Sequence, residues 1–339
     1  MDHGGRMDLS AWQGMRTRDP RRLTLGSAQW ARRVGIANRG GETDASELVA
    51  ILERAREASV NSIDTARAYG ECEARIGRAT RAEEGWRVVT RLDPDAHHEG
   101  LGIADTLDRL STSLEASRRA LDIDVLPVLM LHHFAHRHAC GGRLWRGLLA
   151  ERDAGRIGSL GILAATPEEA WGALEDPDIE VIQVASSLLD LRLHRQGFFP
   201  RARELGRTVY VRDIFLQGVA HLEPETLPPS LLRLVAPMKL IQTCASRVGL
   251  PPRALFLAFA RELPGAHPIL DCESESQLGT LLADWASDAI DAATISLLVD
   301  SLPTLDSDSV DPSCWISTEI PSAIPMNQTS GTSVATIPA

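Results

Sequence analysis

The sequence predicts a (β/α)8 barrel, in which eight parallel strands close on themselves inside a layer of helices. Two observations lead to this fold class. Eight short apolar runs alternate with amphipathic helical patterns along the chain, and strands that are apolar throughout are typical of parallel sheets covered by helices. Barrels of this kind need about 250 residues. A doubly wound open sheet is the alternative, but no GxGxxG motif follows the first strand.

The elements alternate regularly. The predicted strands are 22–29, 61–63, 86–92, 125–133, 159–165, 179–186, 207–215 and 267–272. The predicted long helices are 45–58, 103–121, 142–156, 193–205, 231–247, 252–263, 275–285 and 292–302. Asp44 caps the first helix, and Thr166 followed by Pro167 begins another. Residues 1–20 read as an unpatterned leader, 21–316 as the barrel, and 317–339, rich in Ser, Thr and Pro, as a disordered tail.

The composition narrows the class of protein. The net charge of −11 argues against a nucleic-acid or anionic-membrane surface. No apolar run is long enough to span a bilayer, and the N-terminus lacks the apolar core of a secretory signal. The five cysteines are scattered without CxxC spacing, which favours reduced thiols in the cytoplasm over disulfides or a metal site.

The stretch 61–77, NSIDTARAYGECEARIG, carries the clearest chemistry. It places Asp64 at the end of a strand and Tyr69 on the following loop. Arg91 and His132 end the next two strands, and the carboxyl ends of the strands form the active-site face of a barrel. A phenol has an ordinary pKa of about 10, and a neighbouring cation lowers it toward the range of proton exchange. These residues therefore indicate proton transfer.

The same stretch resembles the signature of the aldo-keto reductases. LTLGSAQW, LMLHHFAH, VIQVASSLLD and VYVRDIFLQGVAHL resemble further strands of a bacterial subgroup of that superfamily. The resemblance implies a (β/α)8 barrel, hydride transfer from NADPH, a tyrosine acid tuned by an aspartate and a lysine, and a histidine that orients the carbonyl. Asp64, Tyr69 and His132 match. Arg91 stands in place of the lysine, and the single lysine, Lys239, lies in a peripheral helix.

The resemblance also implies a set of ligand-binding residues. For the cofactor they are Gly26, Ser27, Gln183, Arg212, Leu216, Gln217, Gly218, Ser274 and Gln277. Trp30 is expected as a wall of the substrate site, with core packing as the alternative. Three departures stand out, because Asp213 replaces a serine, Asp271 replaces a glycine, and Leu163-Ala164 replaces Ser-Asn. Like charges about 4 Å apart repel by ~4 kcal/mol at an effective dielectric constant near 20. Inward-pointing aspartates would therefore weaken NADPH binding, whereas outward-pointing ones would leave Arg212 free to hold it.

We therefore expect a cytoplasmic oxidoreductase that reduces a carbonyl of a small metabolite with NADPH, without a metal and without nucleic-acid or membrane partners. Arg91 is either part of the working site or a structural partner of Asp64 in a protein that has lost the chemistry. The alternatives are cofactor-independent acid–base chemistry, such as dehydration, isomerisation or cyclisation, and a catalytically inactive binding protein. The sequence leaves the substrate, the reaction direction and the oligomeric state open.

Overall fold

The structure, a computed structural model, describes residues 17–38, 42–80, 85–96 and 101–315. Most of the predicted leader and all of the predicted tail 317–339 lie outside these residues. Eight parallel strands pair in chain order, and the first pairs with the eighth to close the barrel. The predicted (β/α)8 fold is confirmed.

Five of the strands are shorter than the apolar runs that predict them, and the other three have the predicted length with shifted bounds. The strands are β1 Thr24–Gly26, β2 Ser62–Asp64, β3 Arg87–Arg91, β4 Leu126–Leu131, β5 Ile157–Leu163, β6 Val181–Ala185, β7 Thr208–Arg212 and β8 Ala266–Asp271. Those of the predicted length are β2, β5 and β8. The largest difference is at the first, because 3₁₀ turns at Pro20–Arg22 and Ala28–Trp30 take up both ends of the predicted strand.

The helices cover the outside of the barrel. They are α1 Ala45–Glu57, α2 Cys72–Ala79, α3 Ile103–Leu121, α4 Ala139–Asp153, α5 Pro167–Glu175, α6 Arg192–Arg195, α7 Phe198–Glu204, α8 Val235–Arg247, α9 Pro252–Glu262, α10 Glu275–Ala286, α11 Ala292–Ser301 and α12 Ser307–Val310. The predicted helix 193–205 is two short helices, because Gly197 adopts a left-handed conformation with φ of +74° between them.

The predicted caps hold the helices that frame the barrel mouth. The Asp44 carboxylate accepts a hydrogen bond of 2.9 Å from the Glu47 amide, and the Thr166 hydroxyl accepts one of 3.3 Å from the Glu169 amide. Each cap satisfies an amide that the first turn of a helix leaves without a partner. The chain therefore leaves the barrel mouth and enters each helix at a fixed point.

Packed side chains fill the inside of the barrel and leave its mouth open. Val89, Val128, Met130, Val181, Tyr210 and Ile269 form one buried cluster inside the strands. The larger apolar core lies between the strands and the helices. Tyr210, one of the two tyrosines, is fully buried in this interior plug. Tyr69 is therefore the tyrosine available to the mouth.

Candidate active site

One cavity of about 590 Å³ opens at the carboxyl ends of the strands, and it brings together the four predicted catalytic side chains. Asp64 ends β2, and Tyr69 ends the 3₁₀ turn that follows. Arg91 ends β3, and His132 follows β4 directly. The parallel register sets the strand ends side by side, so that residues far apart in sequence face the same space.

Asp64, Arg91 and Gln183 form a buried polar network below Tyr69. Nη2 of Arg91 donates to both carboxylate oxygens of Asp64, at 2.8 and 3.0 Å, and also to the side-chain oxygen of Gln183. The amide nitrogen of Gln183 donates to Asp64 at 2.8 Å. Their relative exposures are only 5% for Asp64, 2% for Arg91 and 0% for Gln183. The charges of the buried pair thus compensate each other inside the protein.

The second amino group of Arg91 extends this network to the backbone. Its Nη1 donates to the carbonyl oxygen of Thr65 at 2.7 Å, one residue beyond β2. The planar guanidinium therefore ties the end of β3 to the end of β2 as well as carrying a charge. A lysine ammonium lacks the planar two-nitrogen fork that makes these contacts at the same time.

Tyr69 lies beside this cation. The guanidinium carbon of Arg91 is 5.8 Å from the centroid of the Tyr69 ring. Burial raises the pKa of the Tyr69 phenol above its ordinary value, while the positive charge of Arg91 opposes the rise. The cation acts in the expected direction, but burial outweighs it. The phenol therefore carries its proton at neutral pH, which suits a proton donor.

His132 is a neutral imidazole aimed at the same space. Its Nε2 atom is buried and makes no hydrogen bond within the described part of the chain. Burial, followed by the positive charge of Arg91, lowers the pKa of His132 to about 3. A neutral ring with one unused nitrogen at the cavity wall is suited to hydrogen-bonding a ligand.

Most of the predicted cofactor residues line the cavity. They are Gly26, Ser27, Gln183, Arg212, Gln217, Gly218 and Gln277. The Ser27 hydroxyl and the Nε atom of Arg212 are buried polar atoms without partners among the described residues. Unpaired buried polar atoms are costly, so their presence at a cavity wall indicates a polar ligand. Leu163, one of the predicted departures, contributes an apolar part of the wall.

Three predicted ligand-binding residues lie elsewhere. The Trp30 side chain is fully buried, and its indole Nε1 donates to the carbonyl oxygen of Cys272 at 3.1 Å. Trp30 therefore packs in the core, and the expectation of a substrate wall is corrected. Leu216 is buried in the core. Ser274 caps α10 by accepting a hydrogen bond from the Gln277 amide at 3.2 Å.

The two unexpected aspartates occupy different electrostatic settings, although both line the cavity. Asp213 forms an ion pair with Arg212, and it accepts a hydrogen bond of 2.8 Å from Gln217. Asp271 has no ion-pair partner in the described residues. Its side chain is exposed to the open cavity, and the enclosing protein, followed by the charges of Asp213 and Asp64, raises its pKa to about 7. Asp213 therefore neutralises Arg212, while the carboxyl group of Asp271 faces the cavity alone.

The cavity wall includes charged and polar residues that the motif comparison did not single out. Glu273 lies two positions after Asp271 in the same loop, and counting carboxylates along DCESES would have found it. Arg253, at the start of α9, pairs with Asp284 at 2.7 Å. Nothing in the local pattern marks Arg253, because only the closed barrel brings α9 to the mouth.

The described residues contain neither a metal centre nor a membrane-spanning helix. No group of three or more His, Cys, Asp or Glu side chains in the described ranges could hold a metal ion. In the same ranges, no helix combines the length and apolar character needed to cross a bilayer. His133 and His136 instead pack edge to face, with 5.0 Å between their ring centroids.

Comparison with solved structures identifies the same architecture. The aldo-keto reductase AKR11C1 from Bacillus halodurans, in its holo form, is 18% identical with a TM-score of 0.67, over 84% of this chain and 93% of that chain. The glycerol dehydrogenase AKR11B4 from Gluconobacter oxydans is also 18% identical, with a TM-score of 0.63 over 87% of this chain and 95% of that chain. At this identity the likeness shows the fold.

A search of curated proteins finds no match. The family model described as the Aldo/keto reductase family matches residues 22–298, which is nearly the whole barrel. Membership of this family supports an oxidoreductase, and members of the family generally use nicotinamide cofactors and act on small carbonyl substrates. With eight strands in the expected order and this match over most of its length, the chain belongs to the aldo/keto reductase family.

Proposed function

We propose that this protein reduces the carbonyl group of a small aldehyde or ketone with hydride from a reduced nicotinamide dinucleotide, for which the family resemblance implies NADPH. The observation that carries the proposal is the convergence of a protonated Tyr69, a neutral His132 and the buried Asp64–Arg91 pair on one cavity. Its volume of about 590 Å³ falls within the range of small-molecule sites.

Tyr69 acts as the general acid. When bound, a reduced dinucleotide would supply a hydride for the carbonyl carbon. As the carbon accepts it, Tyr69 gives its phenolic proton to the carbonyl oxygen, and the product is an alcohol. The phenolate that remains lies next to the Arg91 guanidinium, whose charge stabilises it. His132 donates or accepts a hydrogen bond through its ring and orients the substrate.

Asp64, Arg91 and Gln183 support this acid. Because Arg91 is fixed by Asp64, Thr65 and Gln183, its charge stays in place beside Tyr69 throughout the reaction. Arg91 thus takes the role that lysine has in the family pattern, with a wider set of contacts. Ser27, Gln183, Arg212, Gln217, Gly218 and Gln277 are the residues that would hold the dinucleotide. The five free cysteines fit the reducing cytoplasm as the site of this activity.

The direct test is cofactor binding followed by turnover. The purified full-length protein is titrated with NADPH and with NADH, and binding is followed by cofactor fluorescence. A panel of aldehydes and ketones is then screened for substrates that oxidise the dinucleotide that binds. We expect a Kd of about 10 µM or tighter for one dinucleotide. Tyr69→Phe should bind it equally well and lose about a hundredfold or more in kcat. Tyr210→Phe is the matched control, since Tyr210 lies in the interior plug.

A second candidate is acid–base chemistry without a dinucleotide. Asp271 favours it, because a carboxyl group with a pKa of about 7 and no ion-pair partner within the described residues is suited to proton transfer near neutrality. Dehydration or isomerisation would then use Asp271 with Tyr69. If neither NADPH nor NADH binds at millimolar concentration, this candidate is favoured. Tight binding without turnover of any substrate would instead favour an inactive binding protein.

A further inference from the structure

The loop after β8 and the start of α10 form one end of the cavity, where Glu273, Ser276, Gln277 and Thr280 line the wall. In barrels of this kind, phosphate groups are bound by the loops after the seventh and eighth strands and by the amides at a helix N-terminus. The resemblance to the family implies that this loop is where NADPH would place the extra phosphate of its adenosine.

The backbone amides at the start of α10 already donate hydrogen bonds to side chains of the protein. The Glu275 amide donates to the carboxylate of Glu47 at 2.6 Å. The Glu273 amide donates to the Gln277 side-chain oxygen at 2.7 Å, and the Gln277 amide donates to the Ser274 hydroxyl at 3.2 Å. A carboxylate of α1 thus occupies the start of α10 in the way that a bound phosphate would.

The charge around this helix start is also negative. Glu275 lies in the first turn of α10, Glu47 contacts that turn, and Glu273 lies two residues before it. Asp271, at the end of β8, lines the same cavity as Glu273. Two arginines act directly on these acids. Arg54 lies 3.5 Å from Glu275, both side chains being exposed, and the charge of Arg33 acts on Glu273. A phosphate monoester carries a charge of about −1.5 to −2 near neutral pH, so it would be repelled here.

Elsewhere in the cavity wall, buried polar atoms without partners favour a polar ligand. The Ser27 hydroxyl is completely buried and has no partner among the described residues, and the same holds for Nε of Arg212. Both residues line the cavity that also contains Tyr69 and the first turn of α10. The cavity thus offers unpaired donors to the rest of a dinucleotide, while acids surround the loop where the extra phosphate of NADPH would bind.

We propose that the dinucleotide of this protein is NADH, with the adenosine ribose hydroxyls bound by the Glu273 carboxylate and with no site for a 2′-phosphate. This inference rests on the proposed reductase function. It changes only the cofactor, from the NADPH that the resemblance implies to NADH. A carboxylate that accepts hydrogen bonds from the ribose hydroxyls is the usual means by which dinucleotide sites select the unphosphorylated form.

The experiment compares the Kd values of NADH and NADPH for the full-length protein, measured by fluorescence titration. We expect NADH to bind at least about tenfold more tightly. Glu273→Gln should reduce this ratio severalfold, and Glu273→Arg should reduce it further or invert it. Glu204→Gln is the matched control, because Glu204, in α7, does not line the cavity and its side chain is 65% exposed. Thermal unfolding verifies that each variant is folded.

The outcomes separate this inference from the function on which it rests. Equal or tighter binding of NADPH would overturn the inference and leave the reductase proposal standing. A ratio that does not change in Glu273→Gln and Glu273→Arg would also overturn it. If neither dinucleotide binds, the reductase proposal itself fails. If NADH alone binds, with the predicted response of the Glu273 variants, both stand.

Discussion

Arg91 and Asp64 form a buried ion pair in which a single nitrogen, Nη2, lies 2.8 Å from one carboxylate oxygen and 3.0 Å from the other. The other amino group, Nη1, reaches the carbonyl oxygen of Thr65 at 2.7 Å. One side chain thus holds a charge beside Tyr69 and joins two neighbouring strand ends. This geometry explains how an arginine can occupy a position where the family pattern has lysine.

The first prediction concerns that replacement. Arg91→Lys should lower kcat for carbonyl reduction by about tenfold or more, because a displaced cation supports the phenolate of Tyr69 less well. It should also lower the thermal midpoint, since Thr65 and Gln183 lose a buried partner. Arg91→Ala should cost about 3–5 kcal/mol, because it leaves Asp64 buried and unpaired. Steady-state kinetics and denaturant unfolding measure both effects. A gain of activity in Arg91→Lys would contradict this assignment.

The second prediction concerns Glu73, a fully buried acid at the start of α2. Its carboxylate accepts hydrogen bonds from the Thr90 hydroxyl at 2.7 Å and from Nη1 of Arg67 at 2.8 Å. Arg67 belongs to the turn that presents Tyr69, and Thr90 precedes Arg91 on β3. Glu73 therefore positions Tyr69, the general acid, relative to the guanidinium of Arg91.

Glu73→Gln should weaken these charge-assisted bonds by about 1–3 kcal/mol and lower kcat more than it changes KM. Steady-state kinetics should show the split between kcat and KM. Glu71→Gln is the control, because Glu71, two residues earlier, is exposed. If Glu73→Gln loses this much stability but keeps the parent kcat, Glu73 has only a structural role.

The third prediction is a pH dependence set by Asp271. Its pKa of about 7 means that the carboxyl group becomes charged as the pH rises through 7. Binding of a dinucleotide, whose phosphates are negative, should therefore weaken between pH 6 and pH 8, and Asp271→Asn should remove this dependence. Fluorescence titration at several pH values measures it. His132 should add no step in that range, because with a pKa of about 3 it stays neutral.

The raised pKa of Asp271 also determines how the stability of the protein changes with pH. A carboxyl group whose pKa is raised by folding binds more protons in the native state than in the unfolded chain between its ordinary pKa of about 4 and 7. The free energy of unfolding should therefore fall as the pH rises across this interval. Asp271→Asn should stabilise the protein at pH 8 and have little effect at pH 4. Water in the cavity screens the charge, so the effect should be moderate.

The fourth prediction tests the buried position of Trp30. Trp30→Phe removes the hydrogen bond to the Cys272 carbonyl oxygen and leaves a small void. We expect a loss of about 1–3 kcal/mol in the free energy of unfolding, because a buried carbonyl loses its partner. KM for a carbonyl substrate should not change. A large change in KM without loss of stability would restore the substrate-wall interpretation.

The sequence predicts the fold better than the detail of the site. The helix 103–121 has the predicted bounds, and Asp44 and Thr166 cap where expected, because capping and helical periodicity are local properties. The break at Gly197 was not predicted, since an isolated glycine in a helical pattern does not reveal its conformation.

In the site, the residues from the motif converge on one cavity as expected, since parallel strand ends meet at the mouth. The direction of Trp30 and the pairing of Asp213 with Arg212 could not be predicted. Trp30 follows a strand of only three residues, and the 3₁₀ turn after it sends the indole into the core. The Glu47 carboxylate meets the Glu275 amide across 228 positions, and no local pattern indicates such a contact.

Gly26 pairs with Asp64 on one side and with Asp271 on the other, and a β-carbon at Gly26 would lie 2.0 Å from Oδ1 of Asp271. The two positions therefore constrain the order in which mutations can accumulate. A side chain at residue 26 requires the Asp271 carboxylate to turn away or residue 271 to become smaller, and Ile269, at 3.0 Å, must also yield. A library that varies position 26 alone should therefore return mostly the parent glycine, and larger residues at 26 should appear together with changes at 271.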